Sequence, residues 1–485
     1  MAIKRYIASK DTTISNAFKA GLINRATGSN MGLADSMEIF SIYGQAATGS
    51  TELSRALVQF SHADIQTDRT AGNLPASGSV NFYLRLFNAR HPFTLPKNYA
   101  VTAAPMSAEW EEGHGLDMDE YTHLTYDKDG ASWLRRSGST SWTDHGGDYN
   151  HNKEYKMQFV TGEEDFLVDV TEIVEDWLDS SVTNNGLMVK LSSSYEAEFT
   201  GSADGIQISN STGSVTNYYT KKFFARGSEF WFKRPIIEAR WDSSVLDDRG
   251  NFYSSHSAAP QSYNENTVYM YNYFGNSLVN IPDIGTGEVH VRIFNSLTGS
   301  TALTNMVTGG YDSVGIYSAT LELNSTASFV YDRWFNAAET VCYHTGTIRV
   351  QQRKPSNSNP DQSYVSNITN LKPNYHAHET ARIRIYTREK NWCPTIYNKA
   401  SGTVTKSIVE EGYYRIRRVI DDCDVVAFGT GSDAQTRLSY DTSGSYFDFD
   451  MKMLEPGYMY EIGLAYNVNG RYENQPEQFR FRVKE

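Results

Sequence analysis

Glu111, Glu112, Asp117 and Asp119 follow Trp110 within ten residues. Two carboxylates beside an aromatic are what glycoside hydrolysis uses, one to protonate the leaving oxygen and one to act as base or nucleophile across the ring. That mechanism needs the two groups on opposite sides of a sugar, and adjacent acids in one loop do not establish such a separation. The alternative is that Trp110 packs in the core while its acidic neighbours are solvated. The same loop, or Asp127-Lys128-Asp129-Gly130, offers oxygen ligands of the kind Ca²⁺ takes, without the full spacing of an EF-hand. A structural calcium is therefore the one cofactor the acids leave open.

His114, His123, His145 and His151 crowd one region, and Cys342 lies two residues before His344. None of these has the spacing of a helical HExxH or a Cys–His finger, so they read as loop and surface residues rather than zinc ligands. No Gly-x-Ser-x-Gly elbow and no phosphate-binding Gly-x-x-x-x-Gly-Lys loop occurs. The chain is expected to be non-enzymatic, with no catalytic, cofactor-binding or metal-ligating residues assigned.

The aromatic side chains are the better candidates for recognition. Trp133 and Trp142 sit in a Ser/Gly/Thr-rich stretch that runs on to His145, Asp148 and Tyr149. Indole faces stack on sugar rings or on a partner protein and dominate interface energetics. Taken individually, Trp133 and Trp142 are expected to pin this long excursion onto its own scaffold. Residues 110–152 are the expected partner or glycan contact surface, because long ordered loops on a rigid scaffold are where recognition concentrates.

The scaffold is legible as strands. Arg55–Phe60 is dense enough in apolar residues for a core position, and Val80, Phe82, Leu84 and Leu86 alternate onto one face. Phe166, Val168 and Val170 alternate likewise, after which Thr171 is expected to cap a short helix carrying Ile173, Val174 and Trp177. Asn184-Asn185-Gly186 supplies a tight turn into a strand over 187–191. Trp110, Asp169, Thr171 and Trp177 are the expected structural core of this region, with the helix closing an open end of the sandwich.

With 32 Tyr and 23 Phe against few helical periodicities, the balance favours strands joined by polar turns. The net charge of −13, with no long basic cluster, argues against nucleic acid as the main partner. Three cysteines are too few and too scattered for a disulfide framework and suit a reducing cytoplasm. The first residues contain no long apolar run, so neither a secretory signal nor a membrane anchor is expected.

The expected fold class is all-β: an N-terminal jelly-roll sandwich followed by two smaller immunoglobulin-like β-sandwich domains. The first domain is placed at 1–241. A second, at 242–355, carries strand patterns over 268–273, 289–294, 315–323, 329–332 and 346–350. A third, at 356–485, has strict alternation over 381–386, 447–451 and 479–483. The polar run from Pro355 to Pro360 reads as the linker between them, and Asp247-Asp248-Arg249-Gly250 as an accessible turn after the first domain.

The order Asp11-Thr12-Thr13-Ile14, Asn30-x-Gly32, Arg55–Phe60, Val80–Leu86, Trp110-Glu111-Glu112-Gly113, Asp169-Val170-Thr171 with Trp177, and Asn185-Gly186-Leu187 resembles the DNRLRE family. A further block, Phe223–Arg226 through Lys233–Trp241, is similar to the strand that closes such domains. That resemblance implies a jelly-roll related in shape to carbohydrate-binding modules and found in surface and virion proteins. The stretches Asp247–Tyr253 and Tyr269–Tyr273 resemble structural proteins of tailed phages that infect marine bacteria. The resemblance implies a non-enzymatic virion component of the neck, collar, tail or capsid exterior. It would be assembled in the host cytoplasm, contact other virion proteins as a homo-oligomer or multi-copy ring, and have no nucleic-acid or membrane partner. A carbohydrate-binding adhesin or glycan-degrading fibre component, recognising a host-surface glycan, is the alternative.

Overall fold

The computed structural model describes residues 2–19, 21–44, 50–91, 94–116, 129–201, 206–353, 363–401 and 406–485. These form two compact units, Ala2–Trp241 and Asp242–Glu485, and the protein is all-β, built of sandwiched sheets. The Pro355–Pro360 run lies outside the described residues, as do Asp117, Asp119, His123, Asp127 and Lys128.

The described residues of the first unit form ten strands: β1 (Ile3–Ser15), β2 (Ser36–Tyr43), β3 (Thr51–Phe60), β4 (Asn81–Leu86), β5 (Tyr99–Pro105), β6 (Tyr155–Phe159), β7 (Phe166–Asp169), β8 (Leu187–Leu191), β9 (Tyr218–Phe224) and β10 (Ile236–Arg240). β1 serves both sheets. Ile3–Ile7 pairs with β10, and after a register shift between Ala8 and Lys10 the rest pairs with β3. A bulge of this kind is how one strand turns the corner of a sandwich. One sheet runs β1-β10-β4-β7; the other runs β6-β5-β8-β3-β1, with β2 joining β3 and β9 joining β2.

Between the sheets lie Phe82, Leu84, Leu86, Phe166 and Val168 from one side and Ala56, Val58, Phe60, Tyr99, Val101, Leu187 and Val189 from the other. Helix α1 (His62–Thr70) buries only Ile65 in this core, whereas α2 (Thr171–Leu178) contributes Ile173, Val174 and Trp177. Arg69 of α1 grips Glu175 of α2 through two bonds of 2.7 and 2.6 Å. The turn before β8 has Gly186 at φ +86°, where an added Cβ would stand 2.4 Å from the Val58 carbonyl oxygen.

Two expectations about the helix are corrected. Trp110 and Trp177 are buried, but Asp169 is exposed and Thr171 is only half-buried. The helix is capped from Asp169, whose carboxylate accepts from the Thr171 N–H and hydroxyl at 2.9 and 2.6 Å. Thr171 is the first helical residue, and its hydroxyl accepts from the Phe82 N–H at 2.8 Å. The pair stitches the helix to β4 because the short acceptor side chains reach unpaired backbone donors there.

The second unit contains two sandwiches. In the first, β11 (Phe252–Ser254), β12 (Glu265–Tyr271), β15 (Val289–Phe294), β16 (Val307–Ser313), β17 (Ile316–Glu322), β18 (Phe329–Phe335) and β19 (Cys342–Gln352) follow the order β11-β19-β18-β15-β16-β17-β12, with a small hairpin of β13 (Tyr273–Phe274) and β14 (Ser277–Leu278). β16 pairs first with β15 and then with β17, so it too passes between sheets around Val268, Val291, Tyr317, Val330, Trp334 and Ile348.

In the second sandwich, one sheet is β20 (Tyr364–Ile368), β22 (Thr380–Glu389), β26 (Gly444–Asp450) and β25 (Ser439–Asp441). The other is β21 (Asn374–His376), β28 (Arg471–Lys484), β27 (Met459–Val468), β23 (Gly412–Arg418) and β24 (Cys423–Val426). Tyr414 and Phe447 stack between them with ring centroids 4.0 Å apart.

The turn at Asp247–Gly250 is an anchor, which corrects its reading as an accessible turn. Val245 and Asp247 exchange backbone bonds with Tyr440, and the Tyr440 hydroxyl donates to Asp248 at 2.8 Å. Arg249 grips Asp332 at 2.6 and 2.7 Å, and Trp334 Nε1 donates to the same buried carboxylate. Acid-rich turn chemistry reads as a surface loop in sequence; here the acids are consumed by partners far along the chain.

Candidate contact surface

Trp133 and Trp142 are 0 and 4 % exposed, so they are not a contact surface. The reason lies in the sheet beneath them. Along β3, β5 and β8 alternate residues point into the sandwich, and the intervening ones, Leu57, Ala104 and Met188, point out of it. That outer face is apolar and must be covered. The described residues of 106–116 and 129–149 fold back over it, adding Met106, Trp110, Trp133, Trp142 and Tyr149 to a second core with Ile14 and Leu57. Each indole N–H is satisfied: Trp110 by the Asn185 carbonyl (2.9 Å), Trp133 by Ile206 (2.8 Å) and Trp142 by Ser132 (2.8 Å).

The remaining members of that surface are also inward or local. Tyr149 is buried, and Asp148 closes its own turn by accepting from the Thr143 and Asp144 N–H groups at 3.0 and 2.8 Å. His145 is half-buried with Nδ1 lacking a partner.

Under the indoles, Arg55 and Glu196 form a buried bidentate pair, both bonds 2.9 Å, with Lys190 Nζ 3.8 Å from the same carboxylate. Burial alone would raise Glu196, but Arg55 and Lys190 hold it below the usual carboxylate range. With every charge answered, the network fixes how the excursion seats on the sheet.

The acidic loop after Trp110 is likewise structural where it is described. Glu112 accepts from Arg226 Nε and Nη2 at 3.0 and 2.7 Å and from the Asp11 N–H at 2.9 Å. Asp11 in turn accepts from the Arg226 N–H. Desolvation pushes Asp11 up to about 7, against the Arg226 N–H bond that lowers it, while the Glu112 charge adds to the rise. Asn30 pins the same corner: its Nδ2 donates to the Glu112 and Ala131 carbonyls, and its Oδ1 accepts from the Gly32 and Gly115 N–H groups. Gly113 and Gly130 lie flat on Asn30, where a Cβ on either would come within 2.4 Å of its amide. Asn30-x-Gly32 and Trp110–Gly113, two separate motifs in sequence, are one junction in space.

His114 and His151 are exposed, and no group of three metal-ligating side chains occurs among the described residues. Cys342, Cys393 and Cys423 are free thiols.

This polar corner carries the surface that sequence reasoning missed. Leu33 N donates to the Gly115 carbonyl at 2.7 Å, and Gly227 abuts the Leu33 and Ala34 carbonyls, so three loops lie side by side. They expose Leu33 (43 %), Leu116 (55 %), Phe230 (47 %) and Trp231 (46 %). Lys233 Nζ lies 5.2 and 5.9 Å from the Phe224 and Phe230 rings. The sequence signal was Phe230-Trp231-Phe232: three successive aromatics cannot all face inward from extended chain. Their short 3₁₀ turn has no buried residue. Large apolar side chains exposed on neighbouring loops suit an interaction site.

No family model matches the chain, and no curated protein matches it. Among solved structures it is similar to the Yersinia pseudotuberculosis adhesin InvE, at 14 % identity over 49 % of this chain and 58 % of that one, with a TM-score of 0.16. This chain thus spans a little over half the length of that adhesin structure. The FN1–FN3 domains of chicken CNTN1 give 13 % identity over 55 % of this chain and 82 % of theirs, with a TM-score of 0.14. The Escherichia coli adhesin FdeC gives 9 % over 55 % of this chain and 77 % of its own, with a TM-score of 0.15. Values this low carry no argument about function.

Proposed function

We propose that the chain is a non-enzymatic structural protein of a tailed-phage virion, a multi-copy component of the neck, collar, tail or capsid exterior acting through protein–protein contacts. The observation that carries the contact role is the apolar surface of Leu33, Leu116, Phe230 and Trp231, held on loops braced by Asn30, Glu112 and Arg226. Leaving these four side chains about half exposed forfeits part of the roughly 1.5–3 kcal/mol that full burial of a large apolar side chain is worth, a cost that assembly recovers. The virion assignment rests on the ordered motifs that resemble the DNRLRE family and on the phage-like stretches after Asp247.

Such components sit around cyclic axes, each copy meeting the next through a repeated contact. The net charge of −13 keeps free copies apart and gives no reason to bind packaged genome. The test is to quantify the protein in purified particles against a portal subunit, and to repeat the count with Trp231→Glu. Ring-like stoichiometry that falls with the variant supports the proposal. Absence from particles removes the virion reading, and full incorporation of Trp231→Glu removes this surface from it.

A further inference from the structure

Arg353, in the second unit, has no acid gripping its guanidinium among the described residues. Arg353, at the end of β19, stacks on Tyr253 with its guanidinium carbon 4.5 Å from the ring centroid, and the Tyr263 ring lies 5.8 Å away. Nη2 donates to the Tyr263 carbonyl oxygen. Nε is buried with no hydrogen-bond partner, and no carboxylate of the described residues reaches the group. Elsewhere in this unit the guanidinium groups of Arg249, Arg382, Arg384 and Arg418 are each gripped by an acid at 2.6–2.9 Å. A partly buried cation without its counter-ion is costly, so a position like this favours an anion arriving from outside.

A pocket of about 600 Å³ opens there, lined by Tyr253, Gln351, Gln352 and Arg353. That volume is in the usual range for small-ligand sites. Gln352 is tied to the Ser325 carbonyl through Nε2, leaving its amide oxygen as an acceptor, and the Gln351 amide makes no side-chain bond among the described residues. Tyr263 is 59 % exposed and offers an open ring face beside the cation.

The lining selects among anions. Among the described lining residues Arg353 is the one cation, and an acid, Glu410, acts on Tyr253 in the opposite sense to Arg353. This setting suits a single charge better than a phosphate dianion. A carboxylate meets the accessible end of the guanidinium as a charged acceptor. Two amides and a tyrosine face match a ring that bears hydroxyls.

We infer that the pocket before Arg353 binds an acidic saccharide, with a hexuronate carboxylate on Arg353, the sugar ring against the tyrosines and its hydroxyls on Gln351 and Gln352. The inference concerns the second unit alone and stands apart from the contact surface of the first.

The experiment is calorimetric titration of the full chain with glucuronosyl-galactose and galacturonosyl-rhamnose, each compared with its carboxyl-reduced form, with inorganic phosphate and with a short glutamate peptide. At least one uronate disaccharide should bind and its reduced form should bind about tenfold more weakly or not at all, the factor that loss of one charged hydrogen bond gives. Arg353→Met should cause a similar loss with an unchanged melting temperature, and Glu410→Gln should tighten binding. Tyr263→Ala, at an exposed position, should weaken it without touching the charge. The inference is overturned if neither uronate binds, if reduced and acidic sugars bind alike, if phosphate or the peptide binds as well as the sugar, or if Arg353→Met leaves binding intact.

Discussion

Asp11→Asn isolates the energetics of the corner where β1, the Trp110–Gly113 loop and Arg226 meet. Asp11 is 1 % exposed, and its carboxyl is raised by desolvation, which the Arg226 N–H opposes and Glu112 reinforces, from 3.8 to about 7. An acid with a raised folded-state pKa binds its proton more tightly folded than unfolded. Its destabilising effect is therefore absent below the unfolded pKa and grows as pH rises through the window to about 7. Across some three pKa units at about 1.4 kcal/mol each, the wild-type protein loses up to about 4 kcal/mol relative to a variant that cannot ionise there. The assay is urea unfolding of both proteins at half-unit steps from pH 4 to pH 8, following the transition of the first unit. The amide hydrogens that the substitution introduces add a constant that shifts the difference curve without altering its slope. Wild-type minus variant stability should fall steadily between pH 4 and 7 and level off above. A flat difference, or one that rises with pH, would refute the account of Asp11 as a carboxyl whose charge the fold resists.

Trp177→Ala should cost about 3–5 kcal/mol, the range for truncating a buried aromatic, read as a lowered urea midpoint of the first unit; wild-type stability would mean α2 does not complete its core. Gly186→Ala should destabilise by at least about 2 kcal/mol, since positive φ and a Cβ 2.4 Å from the Val58 carbonyl act together. A neutral outcome there would show that the turn can rearrange. Arg249→Met should cost about 3–5 kcal/mol in the second unit, because it strands the fully buried Asp332 carboxylate without its partner. Brief proteolysis should spare Asp247–Gly250, and early cleavage at that turn would contradict its role as an anchor.

The strands were legible because alternation is local. Val80 to Leu86 states its own buried face, and the observed β4 follows it residue by residue. β3 was legible as core but not in what covers it. Its outer residue Leu57 meets Trp133 and Trp142, some eighty residues further on, and nothing in the Ser/Gly/Thr-rich composition of that stretch announces that it lies flat on a sheet. Packing was the expectation for Trp133 and Trp142 taken singly, and the second apolar face of the sheet is what they pack on; the contact surface expected of the wider region was the part that failed. Helix α1 went unseen because His62–Thr70 is polar apart from Ile65 and is held mainly through Arg69 and Glu175. The Asn30 corner was visible as separate motifs, and only their convergence was hidden. Pairings such as Glu112 with Arg226, over a hundred positions apart, leave no trace in spacing.

The double service of β1 has a consequence for how the protein is made. Ile3 to Ile7 hydrogen-bonds to Ile236–Arg240, so β1, once it has left the ribosome, waits for the last strand of its unit. At roughly 5–20 residues per second, that wait is on the order of 12–50 s. During that interval one flank of β1 has no native partner, and an unpaired strand flank is a template for strands of neighbouring nascent chains. Lys4 and Arg5, which end in contacts with Asp68 and Glu238, put two positive charges on the waiting segment. Those charges are gatekeepers on the polysome before they are ion pairs in the finished sheet. Replacing both with threonine would leave the strand propensity intact while shifting newly made protein from the soluble fraction into aggregates.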